Sequence, residues 1–326
     1  MNLPYFDNMA IQTATPYPAL IAAIAEAFRH GGVAPARHVH TVPKADENDS
    51  VLLLMPSWND TGNFGVKLAT INAENATRDL PTINGIYVLF DSQTSTPVAT
   101  FDAATLTARR TAAASAFAAS RLARADASSM LMVGTGHLSR PLIEAHAAVR
   151  DLQKIRVWGR TPDKAAEVAD WARSNITDDA EPVTNLAAAC SDADIISAAT
   201  LSREPLVRGA NLKPGCHVDL VGAYEATMRE SDSLLFERAD QVFVDTFEGA
   251  REEAGDLLQA IDEGALSMDS VSGDLYKLAA SADAVRHSDD GITVFKSVGT
   301  GLEDLAAAVL CYCSISPNAF QTSTSP

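Results

Sequence analysis

The run Val133-Gly134-Thr135-Gly136-His137-Leu138-Ser139 has the residue types and spacing to hold a pyrophosphate. Met130-Leu131-Met132-Val133 ahead of it reads as a short buried strand, and the stretch after it is helix-forming. In that setting Gly134 permits the tight turn and Gly136 lets backbone approach the phosphates. Small Ser139 takes the place of a third glycine where helix and strand pack closely. The backbone of Thr135, His137 and Leu138 completes the loop, and the helix start offers free N–H groups and partial positive charge to an anion. A glycine match alone is weak, and a plain structural βα turn is the alternative; the strand before and the helix after give it weight.

Cofactor choice is set about 20 residues further on, where an acid would bind the ribose hydroxyls of NAD. The chain instead reads Trp158-Gly159-Arg160-Thr161-Pro162-Asp163-Lys164. Arg160 and Thr161, with Lys164, suit a 2′-phosphate, so NADPH is expected over NADH, with NADH still usable. Asp163 falls two to three residues late and reads as the start of the next helix.

These loops need a parallel sheet to carry them. Strands are expected at Ile155–Trp158, Ile195–Ala198, His217–Val221 and Gln241–Val244, with helices at Asp163–Ser174 and after Gly249. Repeated apolar strand then helix implies a parallel sheet covered on both faces. The first hundred or so residues differ. A helix over Tyr17–His30 ends at Gly31-Gly32. Alternating segments at Val51–Pro56, Phe64–Thr70, Ile83–Phe90 and Pro97–Phe101 read as a mostly antiparallel sheet, with a polar hairpin turn at Asp91–Thr96. An alanine-rich helix is expected over Thr111–Ala125 and another over Gly301–Leu310, before a Ser/Thr/Pro tail that reads as disordered.

The 326 residues suit two domains, and 47% apolar with 21% charged residues is ordinary globular composition. A net charge of −17 makes nucleic acid and anionic membranes poor partners. It also means that an anionic substrate needs cations gathered at one place. Cys190, Cys216, Cys311 and Cys313 show no disulfide or metal spacing. No leader segment or membrane span is visible, so a cytoplasmic protein is expected. His38 and His40 lack a third ligand at metal spacing, and no Gly-x-Ser-x-Gly elbow is present.

Several blocks together resemble the ornithine cyclodeaminase/μ-crystallin family. They are Thr107-Ala108-Arg109-Arg110-Thr111-Ala112-Ala113-Ala114-Ser115, the Gly134 loop, Pro205-Leu206-Val207 after Thr200, and Phe295-Lys296-Ser297-Val298-Gly299 followed by Glu303-Asp304-Leu305-Ala306. The resemblance implies an α/β protein: a Rossmann doubly wound parallel sheet inserted in a discontinuous α+β domain that binds substrate and forms a homodimer. The expected boundaries are 1–120 with 302–326, and 121–301. The resemblance also implies a small α-imino or α-amino carboxylate as substrate, held by Arg37, Lys67 and Arg110. A guanidinium suits a planar carboxylate, and a lysine is a compact charge able to donate a proton. Taken singly, Arg37 reads as a solvated loop residue, Lys67 as an outer-face strand residue, and Arg110 as a partner for a nearby acid. Thr111 is implied at a cofactor phosphate, and Thr200, Val221 and Ser297 at the nicotinamide side.

The chain departs from the cyclodeaminases after a late strand, where Val221-Gly222-Ala223-Tyr224-Glu225 has Tyr224 in place of their aspartate. That favours the family's ketimine reductases, which reduce Δ1-pyrroline-2-carboxylate or Δ1-piperideine-2-carboxylate to L-proline or L-pipecolate. The alternatives are an alanine dehydrogenase-like enzyme, a cyclodeaminase, and a non-catalytic NADPH-binding protein.

Overall fold

The computed structural model describes residues 3–44, 48–78, 80–281 and 284–316. The backbone divides into two compact units: the described residues up to Thr111 together with those from Thr300, and Ala112–Gly299 between them. These divisions fall after Thr111 and Gly299, beside the expected boundaries at 120 and 301.

In the first unit β1 (Tyr5–Phe6) precedes α1 (Asn8–Ala14) and α2 (Tyr17–His30). The sequence pattern did not signal α1, whose seven residues bury only Ile11; Asp7 caps it, accepting the Ala10 N–H at 2.9 Å. Helix α2 buries Leu20, Ile21, Ile24, Ala25 and Phe28 on one stripe and ends where Gly31 takes φ 86°. Next come β2 (Gly32–Val33), β3 (His38–Val42), β4 (Ser50–Asn59), β5 (Phe64–Ile71), β6 (Ile83–Phe90) and β7 (Pro97–Asp102). They join β1 in a seven-stranded sheet of order β1-β7-β6-β5-β4-β2, with β3 also on β4. Only the β1–β7 pairing is parallel.

Helix α3 (Ala103–Leu122) corrects the expected Thr111–Ala125. It starts earlier because Asp102 accepts the Thr105 N–H at 2.8 Å and caps the first turn. Arg110 and Thr111 therefore lie inside the helix rather than at its edge. The alanines at 112–114, 116, 118 and 119 are buried and lie all round the helix, so this stretch is enclosed on every side.

The second unit runs β8 (Ser129–Val133), α4 (Ser139–Ala147), β9 (Lys154–Trp158), α5 (Pro162–Asn175), β10 (Ala180–Pro182), α6 (Leu186–Asp192), β11 (Ile195–Ala198) and β12 (His217–Leu220). It continues through α7 (Ser233–Arg238), β13 (Ala239–Val244), α8 (Phe247–Glu253), α9 (Gly255–Asp262), α10 (Leu275–Ala280) and β14 (Ile292–Lys296). All pairings in its seven-stranded sheet are parallel, in the order β10-β9-β8-β11-β12-β14-β13. This is a doubly wound Rossmann sheet, whose strand order reverses between β8 and β11. Strands β10 and β14 add to the four expected partners of β8; the second is buried throughout and coincides with the Phe295-Lys296 motif.

Helix α11 (Gly301–Cys313) returns the chain to the first unit, three residues longer than expected, and packs on α2 and β4. The tail beyond residue 316 lies outside the described residues. The protein is thus α/β, with the parallel sheet inserted in a discontinuous α+β unit.

Candidate active site

In the first unit, alternation along β5 buries Gly65, Lys67 and Ala69 on one face. Lys67 pairs across the sheet with Met55 and with Tyr87, both buried. It is therefore an inward-facing lysine, not an outer-face one. Its Nζ lies 2.8 Å from Asp304 Oδ2 and donates to Thr107 Oγ1 at 3.3 Å. Arg110, from the second turn of α3, donates from Nε to Asp304 Oδ1 at 3.0 Å and from Nη1 to Glu303 Oε2 at 2.5 Å. Both acids sit in the first turn of α11, where the helix dipole favours negative charge.

Burial lowers the Lys67 ammonium to about 8; Asp304 opposes this, while Arg110 and Arg37 add to it. Arg37 is half-buried between β2 and β3, close enough for its charge to be felt at Lys67. Burial also penalises the Arg110 charge, but Asp304 and Glu303 outweigh it and hold the guanidinium above its ordinary value. The Asp304 carboxyl is held below its usual range: burial raises it, but Arg110 and Lys67 outweigh that. The neighbouring Arg109 has a different task, donating to Thr15 Oγ1 at 3.0 Å with its guanidinium 4.0 Å over the Tyr17 ring.

In the second unit, a cleft of about 300 Å³ opens where the sheet order reverses. Gly134, Thr135 and Gly136 line it beyond β8, Trp158 to Thr161 with Lys164 beyond β9, and Ala199 to Ser202 beyond β11. Gly134 has φ 121°, and a Cβ there would come within 2.6 Å of the Ala199 carbonyl oxygen. Gly136 differs: it lines the cleft, and a Cβ there would meet nothing within 4 Å. Gly159 admits Thr135, whose Cγ2 would be 2.6 Å from an added Cβ. Ser139 is buried with its Oγ donating to the Gly136 carbonyl at 2.8 Å, which closes the turn. No side chain caps α4 at Leu138, leaving its first N–H groups for backbone or ligand.

The cleft thus gathers Gly134, Thr135, Gly136, Arg160, Thr161 and Thr200, along with Lys164. His137, Leu138, Ser139, Val221 and Ser297 do not line it, and neither does Thr111, which belongs to the other unit. Val221 and Ser297 are buried just beyond β12 and β14, bonded through their amides to the Ala198 carbonyl at 2.8 Å and the Leu220 carbonyl at 3.1 Å. Asp163 sits in the first turn of α5, behind the Thr161 cap. Sequence reasoning gave no role to Glu303 and Asp304, although two acids opening a helix in a motif that also lies near cations in the chain's pattern were a usable signal. Among the described residues no group of three or more metal-binding side chains occurs.

A model of the ornithine cyclodeaminase/mu-crystallin family matches residues 7–318. The chain belongs to this family. Among its relatives, the Δ1-pyrroline-2-carboxylate reductase of Paracoccus denitrificans is 37% identical over 280 residues, covering 83% of this chain and 88% of its own. The Thermococcus litoralis Δ1-pyrroline-2-carboxylate reductase, solved with NADH and L-proline, aligns with a TM-score of 0.88 at 27% identity over 97% of this chain and 98% of its own. An archaeal alanine dehydrogenase dimer with bound NAD aligns at 0.86 with 25% identity, covering 98% of each chain. This member of the ornithine cyclodeaminase/mu-crystallin family therefore shares most of its length with these enzymes.

Proposed function

We propose that this protein reduces a cyclic ketimine carboxylate, Δ1-pyrroline-2-carboxylate or Δ1-piperideine-2-carboxylate, to L-proline or L-pipecolate with NADPH. The observation that carries the reading is the buried meeting of Lys67 and Arg110 on Asp304, with the Arg37 charge felt at Lys67. The names of relatives that align with 83% and 97% of the chain support the same chemistry.

The two cations Lys67 and Arg110 face two carboxyl side chains, Glu303 and Asp304, so their formal charges cancel. Recognition of the substrate carboxylate then falls to Arg37, with Lys67 and Arg110 as directed donors, since a paired cation in a low-dielectric setting still orients an anion. Lys67 is the better proton donor of the two. Its lowered pKa, about 8, puts proton release near neutrality, where general acids work best. Arg110 is held protonated and serves as a fixed charge. In the reaction C2 of the imine gains a hydride, the C=N pair moves onto nitrogen, and Lys67 Nζ supplies the proton the amine requires. Holding the reactants in place contributes about 7–11 kcal/mol at best.

The second-unit cleft fits a nicotinamide dinucleotide: Gly136 leaves room for phosphate, and Arg160, Thr161 and Lys164 provide donors for a 2′-phosphate. When bound, the reduced cofactor supplies the hydride. We assign the cytoplasm, because all four cysteines are free thiols; no helix among the described residues is long and apolar enough to cross a membrane. We also assign a homodimer, a reading supported by the archaeal alanine dehydrogenase dimer with which the chain aligns over 98% of its length.

The test is a rate measurement on purified protein with NADPH or NADH and each of pyrroline-2-carboxylate, piperideine-2-carboxylate, pyruvate plus ammonia, and ornithine. Turnover of a cyclic imine at least tenfold above the other two substrates is expected. Preferential turnover of pyruvate plus ammonia would instead make the enzyme an alanine dehydrogenase.

A further inference from the structure

Three charged side chains in the second unit, Glu230, Asp256 and Lys296, are wholly buried and take no part in the chemistry above. Glu230 Oε1 accepts the Thr200 N–H at 2.6 Å and the Thr200 hydroxyl at 2.8 Å, while Oε2 accepts the Gly222 N–H at 2.6 Å. Thr200 follows β11 and lines the nucleotide cleft. Gly222 follows β12, and a Cβ there would collide with the Thr200 backbone. One carboxylate therefore bonds two loops at the carboxyl ends of neighbouring strands. The Glu230 backbone is fixed in turn: its N–H donates to Asp256 Oδ1 at 2.7 Å, and its carbonyl accepts the Leu206 and Val207 N–H groups. Lys296 Nζ stands 3.6 Å from Asp256 Oδ2 and donates to the Leu220 carbonyl at 3.2 Å.

We propose that Glu230 is a positioning residue for the cofactor: its ionised carboxylate latches Thr200 to Gly222 and so holds the β11 wall of the cleft in its binding shape. The inference rests on the reading that this cleft takes a nicotinamide dinucleotide. An ionised carboxylate only accepts, and it meets two N–H donors that can do nothing but donate, plus one hydroxyl. A protonated one carries a donor into that set and loses an acceptor site, so the latch loosens. Asp256 from α9 and Lys296 from β14 are the charged groups facing it. Asp245, just after β13, also interacts with Lys296, and Arg229 next in the chain is engaged by Glu263. Burial, then Asp256, raises the Glu230 carboxyl to about 7, against Lys296 and the bonds from Thr200 and Gly222. The latch is set above that pH and released below it.

The experiment is a titration of the full-length protein with NADH, followed by nicotinamide fluorescence, between pH 6 and pH 8. NADH is chosen because it lacks the 2′-phosphate, whose own second ionisation lies near pH 6. If only the ionised latch binds, affinity falls about tenfold from pH 8 to pH 6. Glu230→Gln puts an amide donor against one of the loop N–H groups. It should weaken NADH binding about tenfold at pH 8 and flatten the pH dependence. Thr200→Val, which removes the hydroxyl bond to the carboxylate and leaves the N–H bond, should move the wild-type midpoint upward and keeps the test open if Glu230→Gln does not fold. A wild-type affinity flat across this range, or a folded Glu230→Gln protein that binds NADH as tightly as wild type, overturns the latch. Failure of wild type to bind either NADH or NADPH at any pH overturns the cleft reading itself, and the latch with it.

Discussion

Lys67 and Lys296 are both buried, both on strands and both beside an aspartate, yet they differ in what surrounds them. Lys67 is 5% exposed and shares Asp304 with Arg110, so cations and acids there are equal in number. Lys296 is 0% exposed and stands alone against Asp256 and Glu230, with Asp245 also acting on it. Where cations match acids and a little surface remains, the cluster can receive a further anion. Where acids outnumber the cation and no surface remains, the charges instead bind backbone: Glu230, Asp256 and Asp245 together accept from Thr200, Gly222, Ser231, Thr246, Val298 and Gly299. Under the proposed function, one buried lysine serves a ligand in the first unit, while the other stands among acids that fix loop backbone in the second.

Paired substitutions break or sharpen that contrast most directly. Lys67→Met should lower kcat by about 10²–10⁴-fold, as loss of a proton donor does, with a smaller loss of Tm than Lys296→Met because Arg110 still pairs with Asp304. Lys296→Met should do the reverse, costing about 3–5 kcal/mol of stability for a broken buried pair while the folded fraction keeps its kcat. Steady-state rates beside thermal melts decide this, and exchanged outcomes would reverse the roles given to the two lysines.

Cofactor choice should respond next most strongly. Replacing Arg160 and Lys164 by alanine together removes charge-assisted bonds worth about 1.5–3 kcal/mol. The KM for NADPH is expected to rise by one to two orders of magnitude while that for NADH stays put. An equal rise for both would mean that these side chains do not read the 2′-phosphate.

The pH profile gives a smaller effect. Lys67 holds its proton below about pH 8 and loses it above. A reaction that needs the protonated form should lose about tenfold in kcat/KM between pH 7 and pH 9. Lys67→Arg, charged throughout, should be slower but lack that alkaline decline; a decline of the same midpoint in the variant would assign it to another group.

The least change is expected at Gly136, where an alanine methyl has room in the protein itself. Gly136→Ala should leave Tm unaltered and raise the cofactor KM a few-fold by intruding on the phosphate. Gly134→Ala, with φ 121° and the Ala199 carbonyl 2.6 Å away, should instead lower Tm. Melting curves and cofactor titrations of the two variants distinguish a glycine kept for the turn from one kept for the ligand.

Much of the second unit was legible because local signals agree there. An apolar strand, a glycine turn and a helix follow one another within residues 129–147, and each is recognisable over a few residues. Less was legible at α1, with a single buried residue, and at the start of α3, where the cap is one aspartate in an otherwise featureless run. Strand β14 lay inside a motif quoted for its residues rather than read for its shape.

The sequence by itself determined the parallel sheet, the glycine loop with its two unlike glycines, and the cationic Arg160 and Lys164 flanking Thr161 after the second strand of that sheet. These depend on residues close together in the chain, where periodicity and turn chemistry act directly. Only the tertiary structure decided which acids answer which cations. Arg110 and Asp304 are separated by 194 positions and Glu230 and Thr200 by 30, yet each pair is in hydrogen-bond contact. Coulomb energy depends on distance and burial, and neither can be read along a chain until the fold has brought the partners together.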